Sequence, residues 1–172
     1  MSRRHQDHPG GFTLIDLMVT LTIIAVMAAV LIPRMDDGGR LNLMAGARLL
    51  ASDIEMAQIM TIANPADPIV VKFEPTLGIY WLAPASDPDN PILRPGATQL
   101  YKVVFGQGRG RTAKDVTFAL SDVTGEVLSF NEQGGILDPT LEPEIKLMRG
   151  SRWITLTIST MTGTISETAG GS

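Results

Sequence analysis

Gly11-Phe12-Thr13-Leu14-Ile15-Asp16 opens a nearly unbroken apolar run that continues to Ile32. From Leu17 onward, the only polar side chains of this run are those of Thr20 and Thr22. At ~1.5 Å per residue, a helix of this length matches the ~30 Å hydrocarbon core of a bilayer. The stretch therefore predicts a membrane-inserted helix, and it places a carboxylate near the start of that helix.

The residues around the run fit an ordinary secretory signal only in part. Arg3 and Arg4 supply the expected cationic start. Between Ala25 and Ile32 no two alanines have the A-x-A spacing of a cleavage site after the apolar core. The two arginines predict that the leader stays cytoplasmic and that the rest of the chain crosses the membrane.

Residues 11–17, Gly-Phe-Thr-Leu-Ile-Asp-Leu, resemble the class III signal of type IV pilins and type II secretion pseudopilins. That signal has a short basic leader ending in Gly, then Phe-Thr-Leu, a hydrophobic residue, Glu and an apolar helix. The resemblance implies that a membrane peptidase cuts between Gly11 and Phe12 and methylates the new amino terminus of Phe12. Pro33 matches a proline common near the end of the family's membrane segment, and Asp16 stands where the family has Glu.

Asp16 needs a physical explanation, because a carboxylate at the centre of a membrane helix costs ~2.5–3.5 kcal/mol, and less near its end. In one interpretation Asp16 lies at the interface and reaches water. In the other, Asp16 pairs with the α-ammonium that cleavage creates on Phe12, in its own chain or in a neighbour, and this pair sets the axial register of packed helices. Gly11, Phe12 and Asp16 are thus the predicted processing and assembly residues.

Composition leaves few functions that could compete with the role of an assembly protein. The chain has 172 residues, a net charge of −4 and no cysteine, so it suits one globular domain beyond the anchor and has no disulfide or thiolate metal site. Both histidines, His5 and His8, lie in the predicted leader. Histidine- or cysteine-based catalytic triads and common zinc sites therefore lack their parts, and we expect no enzyme activity and no cofactor.

Four segments are predicted: a leader over residues 1–11, a transmembrane helix over 12–33, a continuing helix over 34–64 and a periplasmic β domain over 65–172. Gly38-Gly39, aided by Pro33, predicts a kink or short interruption. Asn64-Pro65 ends the second helix. Its main apolar stripe, expected to pack on the sheet, comprises Leu43, Ala47, Leu50, Ile54 and Ala57. A second stripe, which either faces a neighbouring subunit or fills the margin of the sheet, comprises Leu49, Met56 and Met60.

The remaining residues predict an antiparallel β domain, with a hairpin at Met161-Thr162-Gly163. The fold class is therefore α+β, a long N-terminal helix, transmembrane in its first half, packed on an antiparallel β-sheet or sandwich. The predicted strands are Ile69–Phe73, Ile79–Leu82, Gln99–Phe105, Val116–Leu120, Val127–Phe130, Ile145–Met148, Trp153–Ser159 and Thr164–Glu167.

Two loops carry polar residues with alternative interpretations. In the proline-rich loop, Asp87, Asp89 and Asn90 are either turn formers or a weak calcium cluster. In the glycine-rich loop over 106–111 and just beyond it, the cations Arg109, Arg111 and Lys114 either lie on a mobile, solvated loop or contact phosphate.

The helix, the Phe130-Asn131-Glu132-Gln133-Gly134 turn and the final hairpin together resemble the H-type minor pseudopilins. This resemblance implies a structural subunit of a type II secretion pseudopilus, anchored once in the bacterial inner membrane with its C-terminal domain in the periplasm. Its implied partners are other pseudopilins, the prepilin peptidase and the membrane, with no nucleic acid. A minor type IV pilin of a pilus or DNA-uptake system is the alternative.

Overall fold

The computed structural model describes residues 13–31 and 37–171, and the chain divides into two compact units, residues 1–37 and 38–172. In the first unit, α1 (Leu14–Leu31) presents its apolar side chains to the surroundings, from Leu14 at 76% exposure to Met27 at 62%. Within the described residues, no helix combines the length and hydropathy that a membrane span requires. The span predicted over 12–33 includes positions outside those residues and stays a prediction.

The second unit begins with α2 (Asp37–Ala63), whose bounds correct one prediction. Gly38 and Gly39 do not interrupt the helix but lie in its first turn, where backbone N–H groups have no intrahelical partner. The Arg149 side chain packs against Gly39, where a Cβ would lie 2.6 Å from its Nη1. The part of the predicted kink at residues 33–36 lies outside the described residues. The helix ends before Asn64-Pro65, as predicted.

The predicted apolar stripe of α2 is confirmed as the face that enters the core. Leu43 is 2% exposed, and the other four members, Ala47, Leu50, Ile54 and Ala57, are fully buried. The second stripe, Leu49, Met56 and Met60, is partly buried and packs against the same core. This packing favours the interpretation in which the second stripe fills the margin of the sheet.

Two four-stranded antiparallel sheets share this core with α2. The strands are β1 (Ile69–Glu74), β2 (Ile79–Pro84), β3 (Lys102–Val104), β4 (Thr117–Ser121), β5 (Val127–Leu128), β6 (Glu144–Arg149), β7 (Arg152–Ile158) and β8 (Ile165–Gly170). The first sheet has the order β3-β2-β1-β5 and the second the order β4-β6-β7-β8. Contacts between rings join the sheets, because Phe118 lies 5.7 Å from Phe73 and 5.6 Å from Phe105 in edge-on geometry.

The α+β class, with a helix packed on antiparallel sheets, is therefore confirmed, and each predicted strand has a counterpart. Two strands are shorter than predicted: β3 covers only Lys102–Val104 and β5 only Val127–Leu128. The last strand, β8, is longer and extends to Gly170. The hairpin at Met161-Thr162-Gly163 joins β7 to β8, with Ile158 opposite Ile165.

The proline-rich segment is a loop, as predicted, and it is docked on the first sheet. The indole Nε1 of Trp81 donates to the carbonyl of Pro88 at 2.8 Å, and the N–H of Ile92 donates to the carbonyl of Leu82 at 2.9 Å. Trp81 is buried with Val70 and Ala83 in a small second core on this face of the sheet. A loop held by these contacts keeps the outer face of β1 and β2 covered.

Candidate functional site

Asp16 is the predicted assembly residue that the structure describes, and it lies in the first turn of α1. Its carboxylate Oδ2 accepts from the backbone N–H of Thr13 at 3.1 Å and from the Thr13 hydroxyl at 2.9 Å. In return the N–H of Asp16 donates to the Thr13 hydroxyl at 3.4 Å. Thr13 and Asp16 therefore form a reciprocal capping box at the start of α1. Gly11 and Phe12 lie outside the described residues.

This cap supplies a third explanation for an acid in the apolar run. A carboxylate in the first turn satisfies a free backbone N–H and complements the positive end of the helix dipole. The spacing Thr-x-x-Asp was a signal for the cap in the sequence, but the sequence interpretation did not use it. The cap uses Oδ2, and among the described residues no donor contacts Oδ1.

The two threonines of α1 are also satisfied within the helix. The Thr20 hydroxyl donates to the carbonyl of Leu17 at 2.9 Å and lies 3.0 Å from that of Asp16. The Thr22 hydroxyl donates to the carbonyl of Met18 at 2.7 Å. Both hydroxyls can therefore enter an apolar environment without losing a hydrogen bond.

A buried carboxylate in α2 forms the most connected polar cluster of the described domain. Asp53 is 1% exposed, and Arg109 binds both of its oxygens, with Nη2 2.8 Å from Oδ1 and Nη1 3.1 Å from Oδ2. The hydroxyls of Tyr80 and Tyr101 donate to the same carboxylate at 2.8 Å and 2.9 Å. Four donors thus satisfy one buried charge, in the two-pronged geometry that is strongest for arginine and carboxylate.

Burial and the neighbouring carboxylate fix the protonation of both tyrosines. Burial, and then the charge and hydrogen bond of Asp53, raise the pKa of Tyr80 well above 10.0. The same causes raise the pKa of Tyr101 from 10.0. Both hydroxyls therefore remain donors to Asp53 at physiological pH, and we call the cluster of Asp53, Arg109, Tyr80 and Tyr101 the clamp.

Arg109 is exposed, as predicted, but the clamp holds its side chain in place rather than leaving it mobile. Arg109 is anchored to Asp53, and its guanidinium also lies 5.4 Å from the centre of the Tyr101 ring. The turn that carries it is closed by a hydrogen bond of 2.9 Å from the N–H of Gly106 to the carbonyl of Gly110. Arg111 and Lys114 are exposed, as predicted.

A second polar contact joins α2 to the turns at the far end of the domain. The Gln58 side chain is 9% exposed, and its Nε2 donates to the carbonyls of Gly134 at 3.0 Å and Gly163 at 2.8 Å. Gly134 belongs to the Phe130–Gly134 turn, and Gly163 belongs to the final hairpin. Gln58 therefore fixes both turns to the helix.

The calcium interpretation of the proline-rich loop finds no support in the geometry. The Asn90 amide donates to Oδ2 of Asp87 at 2.7 Å, which is a contact within the turn. Within residues 13–31 and 37–171, no group of three or more histidines, cysteines or acids is placed to hold a metal ion.

A partly open cavity of about 310 Å³ lies beside β5. Leu128 and Ile136 line it together with the acids Asp122 and Asp138. The backbone N–H and hydroxyl of Thr140 donate to Asp138 and lower the pKa of its carboxyl. The lining contains no histidine or cysteine, so the cavity presents no nucleophile–base pair of the usual kind.

Comparison with known proteins bears on the N-terminal segment. No curated protein and no solved structure matches this chain. Residues 8–32 match the family model of the prokaryotic N-terminal methylation motif. This range contains the predicted cleavage site, Gly11-Phe12, and the capping box formed by Thr13 and Asp16. The match supports a type IV pilin-like protein with an N-terminal methylation signal.

Proposed function

We propose that this chain is a minor pseudopilin, a structural subunit of the pseudopilus of a type II secretion system. The single observation that carries the proposal is the methylation motif over residues 8–32. A helix packed on antiparallel sheets, which follows the motif in the chain, supports it. Residues 1–11 are the leader and α1 belongs to the membrane anchor. The domain beyond α1 is periplasmic.

The proposed role is structural and not enzymatic. The buried Asp53 is paired with Arg109 and accepts hydrogen bonds from Tyr80 and Tyr101, so the four side chains of this cluster serve as partners to one another. The partners in this proposal are the prepilin peptidase during processing, other pseudopilins in the filament and the inner membrane. The chain is proposed to work without a cofactor, and the H-type resemblance of the Phe130–Gly134 turn suggests its class among the minor subunits.

Asp16 has two compatible roles in this proposal. Cleavage before Phe12 creates an ammonium one residue before the Thr13 cap, and a cation at a helix N-terminus is unfavourable to the helix dipole. The Asp16 carboxylate, already held in the first turn by Thr13, offsets that charge within the chain. Its Oδ1 can accept from the Phe12 ammonium of the same chain or of a neighbour, which would set the register of adjacent helices.

The processing prediction tests the proposal directly. Intact-mass analysis of the protein extracted from membranes should show loss of residues 1–11 and one added methyl group on Phe12. Gly11→Val should block cleavage, because the peptidase site must accept a residue without a side chain. Ala25→Val lies in the apolar run, 14 residues after Gly11 and away from the cleavage site, and serves as the control. An amino terminus that remains at Met1, or one created near Ala29, contradicts the proposal.

The assembly prediction separates the charge of Asp16 from its cap. Asp16→Asn should leave cleavage intact and reduce crosslinking to partner pseudopilins, whereas Asp16→Glu should retain it. Thr13→Val removes the capping hydroxyl but keeps the charge, and should weaken the helix start by only about 1 kcal/mol. Crosslinking that falls in Thr13→Val as much as in Asp16→Asn would assign the effect to the cap. Unchanged crosslinking in Asp16→Asn would refute the pairing with Phe12.

A minor type IV pilin of a pilus or DNA-uptake system is the second candidate, and the exposed Arg111 and Lys114 favour it. Arg109 cannot contribute to a nucleic-acid site without leaving Asp53. With a sequence pI of about 5.1, the chain lacks the basic character typical of a nucleic-acid-binding domain.

We therefore expect no appreciable binding to duplex or single-stranded DNA at physiological salt. The measurement is a titration of labelled DNA at two salt concentrations, because phosphate contacts weaken steeply with salt. Arg111→Ala/Lys114→Ala is the variant that removes the exposed cations without disturbing the clamp. Tight, salt-dependent binding that this variant loses would promote the DNA-uptake system over the secretion system.

A further inference from the structure

Three segments bring cations to the end of the domain at which α2 begins. A Cβ at Gly39 would lie 2.6 Å from Nη1 of Arg149 and 3.6 Å from Nη1 of Arg152, so the β6–β7 turn lies against the first turn of α2. A Cβ at Gly46 would lie 3.1 Å from the Ala113 Cβ, so residues 111–114 lie beside the same helix. We call the resulting cluster the basic end. It comprises Arg40, Arg111, Lys114, Arg149 and Arg152.

The basic end differs in charge from the rest of the domain. Over residues 38–172 the acids outnumber the lysines and arginines by 14 to 11. In the basic end, five cations accompany Asp115, whose Oδ2 lies 3.5 Å from Nη2 of Arg149. In sequence, Asp36 and Asp37 add two acids beside the start of α2 and Arg34 adds one cation, so the local balance stays positive. The chain thus concentrates positive charge at one end of an acidic domain.

Chain connectivity limits how far this end can lie from the proposed anchor. Five residues, 32–36, separate the last residue of α1 from the first residue of α2. A fully extended chain spans at most ~3.6 Å per residue, and residue 37 is six residues after residue 31, so this link bridges no more than ~22 Å. If α1 is anchored in the bilayer, as proposed above, the start of α2 is tethered near the membrane surface whatever the arrangement of the two units.

We propose that the basic end binds the anionic phospholipid surface of the membrane that holds the anchor. Guanidinium groups suit this ligand, because their planar array of donors matches the oxygens of a phosphate. Binding to headgroups would hold the domain against the bilayer before it is incorporated into a filament. This inference rests on the proposed membrane anchoring.

Single cysteines allow a direct test, because the chain has no native cysteine. Thr112→Cys places a fluorophore at the basic end. Glu132→Cys places one near Gly134, where a Cβ would lie 2.9 Å from Cδ1 of Ile62 in the last turn of α2. The full chain is inserted into nanodiscs of zwitterionic lipid alone or with about one third anionic phospholipid, both containing a lipid with a nitroxide headgroup. Quenching of each fluorophore reports its approach to the headgroups.

Anionic lipid should raise quenching at position 112 about threefold and leave position 132 nearly unchanged. The attraction of a cation to an anionic surface is about fivefold per Lys or Arg, and it is screened by salt. The increase should therefore disappear at high salt and in Arg40→Gln/Arg111→Gln/Lys114→Gln. The matched control, Lys72→Gln/Arg94→Gln/Lys102→Gln, removes the same charge from the first sheet and the proline-rich loop and should retain the increase.

Two results would overturn the inference: equal quenching at position 112 in both lipids, or an increase that persists in the variant of the basic end. Failure of the proposed anchoring gives a different result. The chain would then not enter zwitterionic nanodiscs at all, as read from the lipid-to-protein ratio of the nanodisc peak. In that case, flotation of the chain with anionic vesicles, lost in the basic-end variant, would still support the inference about the surface, and absence of flotation would reject it.

Discussion

Arg109→Ala should lower the free energy of unfolding by about 3 kcal/mol, because it leaves the buried carboxylate of Asp53 without a counter-charge. Loss of one partner of a buried ion pair costs ~3–5 kcal/mol. The lower end of that range applies here, since Tyr80 and Tyr101 still donate to Asp53 and the Arg109 side chain is 31% exposed. Denaturant titration of the full chain in detergent, followed by tryptophan fluorescence, measures the loss, since both tryptophans lie in the β domain.

Two variants show whether the loss comes from the clamp. Arg111→Ala makes the same change two residues away on an exposed side chain, and should alter the unfolding free energy by no more than ~0.5 kcal/mol. Asp53→Asn in the Arg109→Ala background removes the uncompensated charge, and should recover part of the loss. If Arg109→Ala unfolded at the same denaturant concentration as Arg111→Ala, the clamp would have no role in stability.

Much of the domain could be predicted from sequence because its signals are local. The stripe of α2 has the helical period, and β7 alternates between Ile154, Leu156 and Ile158 on the buried face. The shortening of β3 and β5 could not be predicted in this way. Their length depends on which neighbour is available for pairing: β5 pairs with β1 only at Val127 and Leu128.

The polar contacts within the core were missed, although the sequence held a signal for them. Asp53 lies three residues after Leu50, Gln58 four residues after Ile54, and Thr61 four residues after Ala57. All three polar residues therefore continue the apolar face of α2, and all three are buried. A polar residue on such a face requires a partner, but the partners come from residues 8 to 105 positions away in sequence. Tertiary structure alone identifies Arg109 as the partner of Asp53.

The N-terminal segment shows the opposite situation. Its motif could be recognised from a few residues, because a linear motif is contained in consecutive positions and needs no tertiary contacts. The match over residues 8–32 agrees with this prediction at the level of a type IV pilin-like protein. The cap formed by Thr13 and Asp16 adds a local reason for an acid at this position, whichever filament the chain enters.

Gly163→Ala should be about as damaging as loss of the clamp, with an expected loss of about 2–5 kcal/mol in unfolding free energy. Gly163 has φ of 69°, a conformation that costs a residue with a Cβ ~1–2 kcal/mol. A Cβ there would also collide with the carbonyl oxygen of Gly134 and press on Nε2 of Gln58. The hairpin would have to move, and the buried Gln58 amide would lose its acceptors, at a further ~1–3 kcal/mol.

The matched control for this prediction is Gly150→Ala, which measures the cost of placing a Cβ at a positive φ without any collision. Gly150 has φ of 61°, but a Cβ there would meet no atom within 4 Å. Its expected loss is therefore ~1–2 kcal/mol, without any collision. Gln58→Leu measures the loss of the Gln58 hydrogen bonds alone, because it removes the amide while leaving Gly163 unstrained. Denaturant titrations of the three variants should order them with Gly163→Ala as the least stable. Equal losses in Gly163→Ala and Gly150→Ala would mean that the contact between the Phe130–Gly134 turn, Gln58 and the final hairpin does not hold the domain together.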